Sequence, residues 1–95
     1  LSGIDQITGR QIAAARSLAG ISQADLAKAA DVSVPTLRRM EASEGSASGL
    51  RNNVSAVRRT LEAAGVIFIA SNGDGPGVRL RKQSQDSTYT LDNIE

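Results

Sequence analysis

The chain predicts a mainly α fold, a bundle of four helices followed by a C-terminal β-hairpin. Three observations carry that expectation. Residues 22–41, SQADLAKAADVSVPTLRRME, read as two short amphipathic helices joined by a tight turn. Apolar residues also recur at three- and four-residue spacing before and after this pair, between residues 12 and 19 and between residues 54 and 61. Beyond Gly65 the pattern changes to a β-branched and aromatic run and then, past the turn-rich SNGDGPG, to an alternating one.

The first helix starts near Thr8 or Gly9 and ends at Gly20, a natural C-terminal cap, with Ile12, Ala15, Leu18 and Ala19 expected to face inward. Ser22 caps the second helix, whose stripe is Ala24, Leu26, Ala27 and Ala30. Asp31-Val32-Ser33 interrupts it. Ser33 then caps a third helix that tolerates Pro35, because the amide a proline lacks has no intrahelical partner in the first turn. Leu37 and Met40 are its core residues. ASEGSASGL, from residue 42, reads as a loop. Asn52 or Asn53 is the expected cap of a fourth helix running to Ala64, which buries Val54, Val57 and Leu61 and stops at Gly65. The hairpin comprises Val66-Ile67-Phe68-Ile69 and Val78-Arg79-Leu80-Arg81; such a pair is marginal alone, so it should pack on the helices or reach a second chain. The expected divisions are residues 1–64 for the bundle, 65–82 for the hairpin and 83–95 for a polar tail, in which Thr88-Tyr89-Thr90-Leu91 is a possible short strand.

With 95 residues the chain fits one domain. It has no cysteine and no histidine, which excludes disulfides, zinc fingers, a thiol nucleophile and an imidazole base. Its acids are scattered, so no catalytic, metal or cofactor site is expected and the chain is not read as an enzyme. Gly73, Gly75 and Gly77 precede a strand rather than a helix, which argues for a turn against a phosphate-binding loop. The longest apolar run, residues 66–70, is far short of a membrane span, and a cytoplasmic protein is the default expectation. Because Leu1 is not a start methionine, the chain is expected to be part of a somewhat longer product.

Net charge is +1, but all 11 basic residues lie before residue 86 against 7 acidic ones, while the tail from Asp86 holds the other 3 acids. A moderately basic body suits a polyanionic partner. With one Phe, one Tyr and no Trp, the platform that stacks unpaired bases is missing, so duplex DNA is favoured over single strands. On the third helix Pro35, Thr36, Arg38 and Arg39 point away from Leu37 and Met40, and such a face suits the major groove. Arg51, at a helix N-terminus, is a phosphate candidate; Arg58 and Arg59 read as a solvated face. A helical hairpin of no particular function is the plainer alternative for residues 22–41.

Residues 9–64 resemble the Cro/C1-type helix-turn-helix regulators, the XRE family, with a lambda-repressor-like bundle. The resemblance rests on Arg16, on Ser22-Gln23-Ala24-Asp25-Leu26-Ala27, on the Val32-Ser33 turn and on the segment from Leu37 to Glu41. It implies that Gln23 anchors a DNA phosphate with Ser22 as its capping partner. It also implies that Val34, Pro35 and Arg39, beside Ser33, Thr36 and Arg38, meet base edges, and that Arg16 and Glu41 form a largely shielded structural ion pair. Val34 and Pro35 depart from the family's polar pattern, so hydrogen-bonded reading would fall on Arg39 with Arg38 or Thr36. The expected function is sequence-specific binding of double-stranded DNA by a transcriptional regulator. So small a module is expected to act as a homodimer, through the hairpin or the fourth helix. The alternative is a protein-interaction module of the antitoxin or adaptor type that captures a protein partner through its C-terminal region.

Overall fold

The computed structural model describes residues 6–45 and 47–82. Four helices, α1 (Gly9–Ala19), α2 (Gln23–Ala30), α3 (Val34–Ala42) and α4 (Arg51–Ala63), precede the strands β1 (Val66–Ile69) and β2 (Gly77–Leu80). The possible strand at residues 88–91 lies outside the described residues.

Local chemistry sets most helix ends. Thr8 and Gln11 form a capping box: the Thr8 hydroxyl accepts from the Gln11 amide at 3.0 Å and the Gln11 side chain accepts from the Thr8 amide at 2.8 Å. At the other end of α1, Gly20 sits at φ 71°, and the Gly20 and Ile21 amides donate back to the Ser17 and Arg16 carbonyls. The same closure ends α2, with Asp31 at φ 61° in the left-handed position and Val32 donating to Ala27. Asp tolerates this conformation better than most residues, because its short polar side chain can bond locally.

One aliphatic core joins all the elements. Ile12, Leu26, Leu37, Met40, Val57, Leu61 and Val66 are fully buried, with Ala15, Ala27 and Ala30 filling between them. Two expected core positions are corrected. Leu18 is 47% exposed. At about 100° per residue it stands about 120° around α1 from Ile12. Ala24 is exposed for a similar reason, standing about 160° around α2 from Leu26.

The start of α4 is a further correction. Neither asparagine caps it; the N-cap is Leu50, which makes no side-chain cap bond. Gly49, at φ 120°, turns the chain just before, and the Leu50 carbonyl takes the Asn53 and Val54 amides at 3.0 and 3.1 Å, so the helix has begun before the asparagines are reached.

The strands pair antiparallel, Val66 opposite Leu80 and Ile69 opposite Gly77. The hairpin packs on the bundle through two polar fixtures. Gln11, only 5% exposed, donates from Nε2 to the Ile69 carbonyl at 3.1 Å and to the Gly77 carbonyl at 2.9 Å, gripping both strands where the turn begins. Arg58 lies 5.4 Å from the centre of the Phe68 ring and pairs with Glu62 at 3.0 Å, which corrects its reading as part of a solvated face. Arg59 is exposed. Gln11→Leu is expected to lower stability by about 2 kcal/mol, since it strips donors from two strand carbonyls and an acceptor from the α1 cap. Hydrogen exchange should show hairpin amides opening faster while α2 and α3 keep their protection; uniform acceleration would mean that Gln11 does not specifically hold the hairpin.

Candidate nucleic-acid interface

The two helices α2 and α3, joined by Asp31-Val32-Ser33, present the candidate surface. Ser33 starts α3: its hydroxyl accepts from the Thr36 amide at 3.1 Å and donates to the Thr36 hydroxyl at 2.8 Å. Pro35 falls in the first turn, where no intrahelical donor is lost. Leu37 and Met40 reach into the core, and this fixes the rotation of the helix about its axis. Pro35, Arg38 and Arg39 are consequently exposed, and Thr36 is half-buried. Arg39 leans on Thr36 through a long 3.5 Å contact between Nη2 and the hydroxyl, so Ser33, Thr36 and Arg39 form one polar strip. Val34 is half-buried against the core, which leaves only part of its side chain for an outside contact.

The orientation of α3 is fixed from behind by Arg16. Its Nε donates to Glu41 Oε2 at 2.7 Å and its Nη2 to Glu41 Oε1 at 3.1 Å, a two-pronged pair, while Nη1 donates to the Ile21 carbonyl at 3.2 Å. Side-chain exposure is 24% for Arg16 and 8% for Glu41. The hydrogen bonds to Glu41, with its charge, raise the Arg16 pKa against the opposing effect of burial. Gln23 joins the pair by donating from Nε2 to Glu41 Oε1 at 3.0 Å. One face of its amide is thereby held at the ion pair, leaving the carbonyl oxygen and the second N–H for other partners. Ser22, beside it, spends its hydroxyl on the Asp25 amide at 3.0 Å.

Gly9 sets the distance between α1 and α3. A Cβ there would run into the Met40 carbonyl and come within 2.7 Å of the Ser43 carbonyl, so the first turn of α1 lies against the C-terminal turn of α3. Beyond α3 the chain is tied back: the Ser43 hydroxyl donates to the Arg39 carbonyl at 3.0 Å and accepts from the Ser48 amide at 2.9 Å. Arg51, exposed at the first turn of α4, belongs to neither polar group.

The candidate residues thus fall into three sets: Ser22 and Gln23 at the start of α2, the strip from Ser33 to Arg39, and Arg51 alone. Sequence reasoning missed Gln11, Gly9 and the Ser43–Ser48 tie. The capping box at Thr8 and Gln11 was the one local signal among them, since a Thr followed three residues later by Gln marks a helix start.

A family model described as Helix-turn-helix matches residues 12–51, from the middle of α1 to the first residue of α4. No curated protein matches the chain. The matched segment is similar to the helix-turn-helix domains of the Cro/C1 type, the XRE family, a class of DNA-binding regulators. Among the described residues no helix is long and apolar enough to cross a membrane.

Proposed function

We propose that this protein reads a specific site in double-stranded DNA as a transcriptional regulator, with the face from Ser33 to Arg39 in the major groove. The observation that carries the reading is the division of α3. Leu37 and Met40 are fully buried while Arg38 and Arg39 are exposed beside Thr36, on a helix whose pitch is fixed by Arg16 and Glu41. Arg39 can offer two donors to guanine O6 and N7. The start of α2, with Gln23 and Ser22, and Arg51 on α4 would take backbone phosphates on either side, positioning the helix without reading bases.

One module of this size offers little area for specific affinity, so two copies are proposed to act together on a two-part site. Strand β2 pairs with β1 on one side only among the described residues, and Leu80 on it is 47% exposed, which supports the hairpin as the contact between copies. Sedimentation of Leu80→Lys against the unchanged chain tests this; equal dimer constants would move the contact elsewhere.

Selection of bound sites from random duplexes tests the function directly. Enrichment of one motif supports it, and no enrichment at any salt concentration overturns it. On the selected site, Arg39→Ala is expected to lose about 1–3 kcal/mol of discrimination at one base pair per half-site with nearly unchanged thermal stability. Arg51→Ala should instead weaken all sequences alike and lower the salt slope by about 0.9 per module. Binding of both variants to every single-base change of the site, over a range of salt, separates the two roles.

A further inference from the structure

An open groove of about 520 Å³ is walled on one side by Arg51, Val54, Ser55 and Arg59 of α4 and on the other by Ile7 and Ala47. Its α4 wall repeats every three to four residues, so it is one continuous face of the helix. Neither Arg51 nor Arg59 has an ion-pair partner among the described residues. Leu50, between the lining residue Gly49 and Arg51, is 68% exposed. The groove therefore offers two cations over a floor that is partly apolar.

Its counterpart in charge is in the same chain. Residues 83–95, QSQDSTYTLDNIE, carry three carboxylates, no cation, and Tyr89, Leu91 and Ile94. The starting point fits as well: the Arg81 amide donates to the Gly65 carbonyl at 2.7 Å, so the chain leaves β2 beside the C-terminal end of α4, where the groove ends near Glu62. Arg51 and Arg59 are about 12 Å apart along the helix. Asp86 and Asp92, separated by at most about 20 Å of extended chain, can straddle that distance with slack. A second copy docked by the same face would set Arg51 and Arg59 against their like, which disfavours it as the occupant.

We infer that the acidic segment 83–95 seats in the α4 groove and competes there with a DNA phosphate for Arg51. The segment would act as an internal brake on DNA binding; this last step rests on the proposed function, whereas the docking does not.

The test compares the full chain with its neutralised form, Asp86→Asn/Asp92→Asn/Glu95→Gln, by amide NMR at low salt. Docking predicts shift differences along residues 51–62 and at Ile7 and Ala47, and their loss as salt screens the pairs. Differences confined to residues 83–95 overturn the proposal. Shifts on the groove that depend on protein concentration and not on the three carboxylates would also overturn it, by assigning the groove to a second copy.

On duplex DNA at low salt the neutralised chain should bind about fivefold more tightly, if the segment fills the groove about 80% of the time. Groove shifts without any DNA affinity in either form would sink the proposed function and leave the docking standing. Groove shifts with equal DNA affinity in both forms would overturn the brake.

Discussion

Arg16→Ala is expected to destabilise the protein by about 3 kcal/mol, at the lower end of what breaking a shielded pair costs because Arg16 retains 24% exposure. The change leaves the nearly buried Glu41 carboxylate with a single donor, Gln23 Nε2, in place of three. For a chain of this size the loss corresponds to a drop of roughly 12–24 °C in Tm. Glu41→Ala added to it should recover part of the loss, since the stranded charge is then gone. Denaturant melts of the four members of the cycle decide the matter; additive effects would show that the pair contributes nothing as a pair. Gln23→Ala in the Arg16→Ala background should cost more than in the parent, because Gln23 then carries the carboxylate alone.

Gly9→Ala should be comparably severe, at about 3 kcal/mol, by a steric route. The new methyl group meets backbone carbonyls of Met40, Ser43 and Glu41, none of which can swing aside as a side-chain tip would. Relief requires α1 to move off the end of α3, which also strains the Arg16–Glu41 geometry. Thermal melts measure the loss, and a DNA titration at a temperature where the variant is fully folded measures the displacement. Unchanged stability would mean that the two helices separate at no cost.

What the sequence makes legible is what depends on near neighbours. Ser22, Ser33 and Gly20 cap their helices through residues at most four positions away, and the stripes of Leu26, Leu37, Met40, Val57 and Leu61 follow from helical period alone. The outward aspect of Arg38 and Arg39 comes from that same period. Leu18 and Ala24 are misjudged because apolar character is taken as burial, although Leu18 stands about 120° around α1 from Ile12 and Ala24 about 160° around α2 from Leu26. The cap of α4 was misplaced because Gly49 had already turned the chain one position before Leu50.

The remaining features depend on contacts that no local pattern encodes. Arg58 looks like a solvated cation until Phe68 arrives beneath it from the hairpin. Gly9 looks like an ordinary helix start until α3 lies across it. The Gln23–Glu41 bond spans 18 residues and links two helices whose separate patterns are complete without it.

Gln11 also bears on the order of folding. Its two bonds to the hairpin join positions 58 and 66 residues apart, far longer closures than the caps and turns that shape α1 to α3. Closing such loops is entropically costly and goes unrewarded until both ends are structured, so these bonds belong late on the folding path. Gln11 substitutions, apart from what they remove from the local α1 cap, should accordingly speed unfolding more than they slow folding. The side chain that starts the first helix would then be among the last to reach its final partners, and would govern how long the native state persists more than how fast it forms.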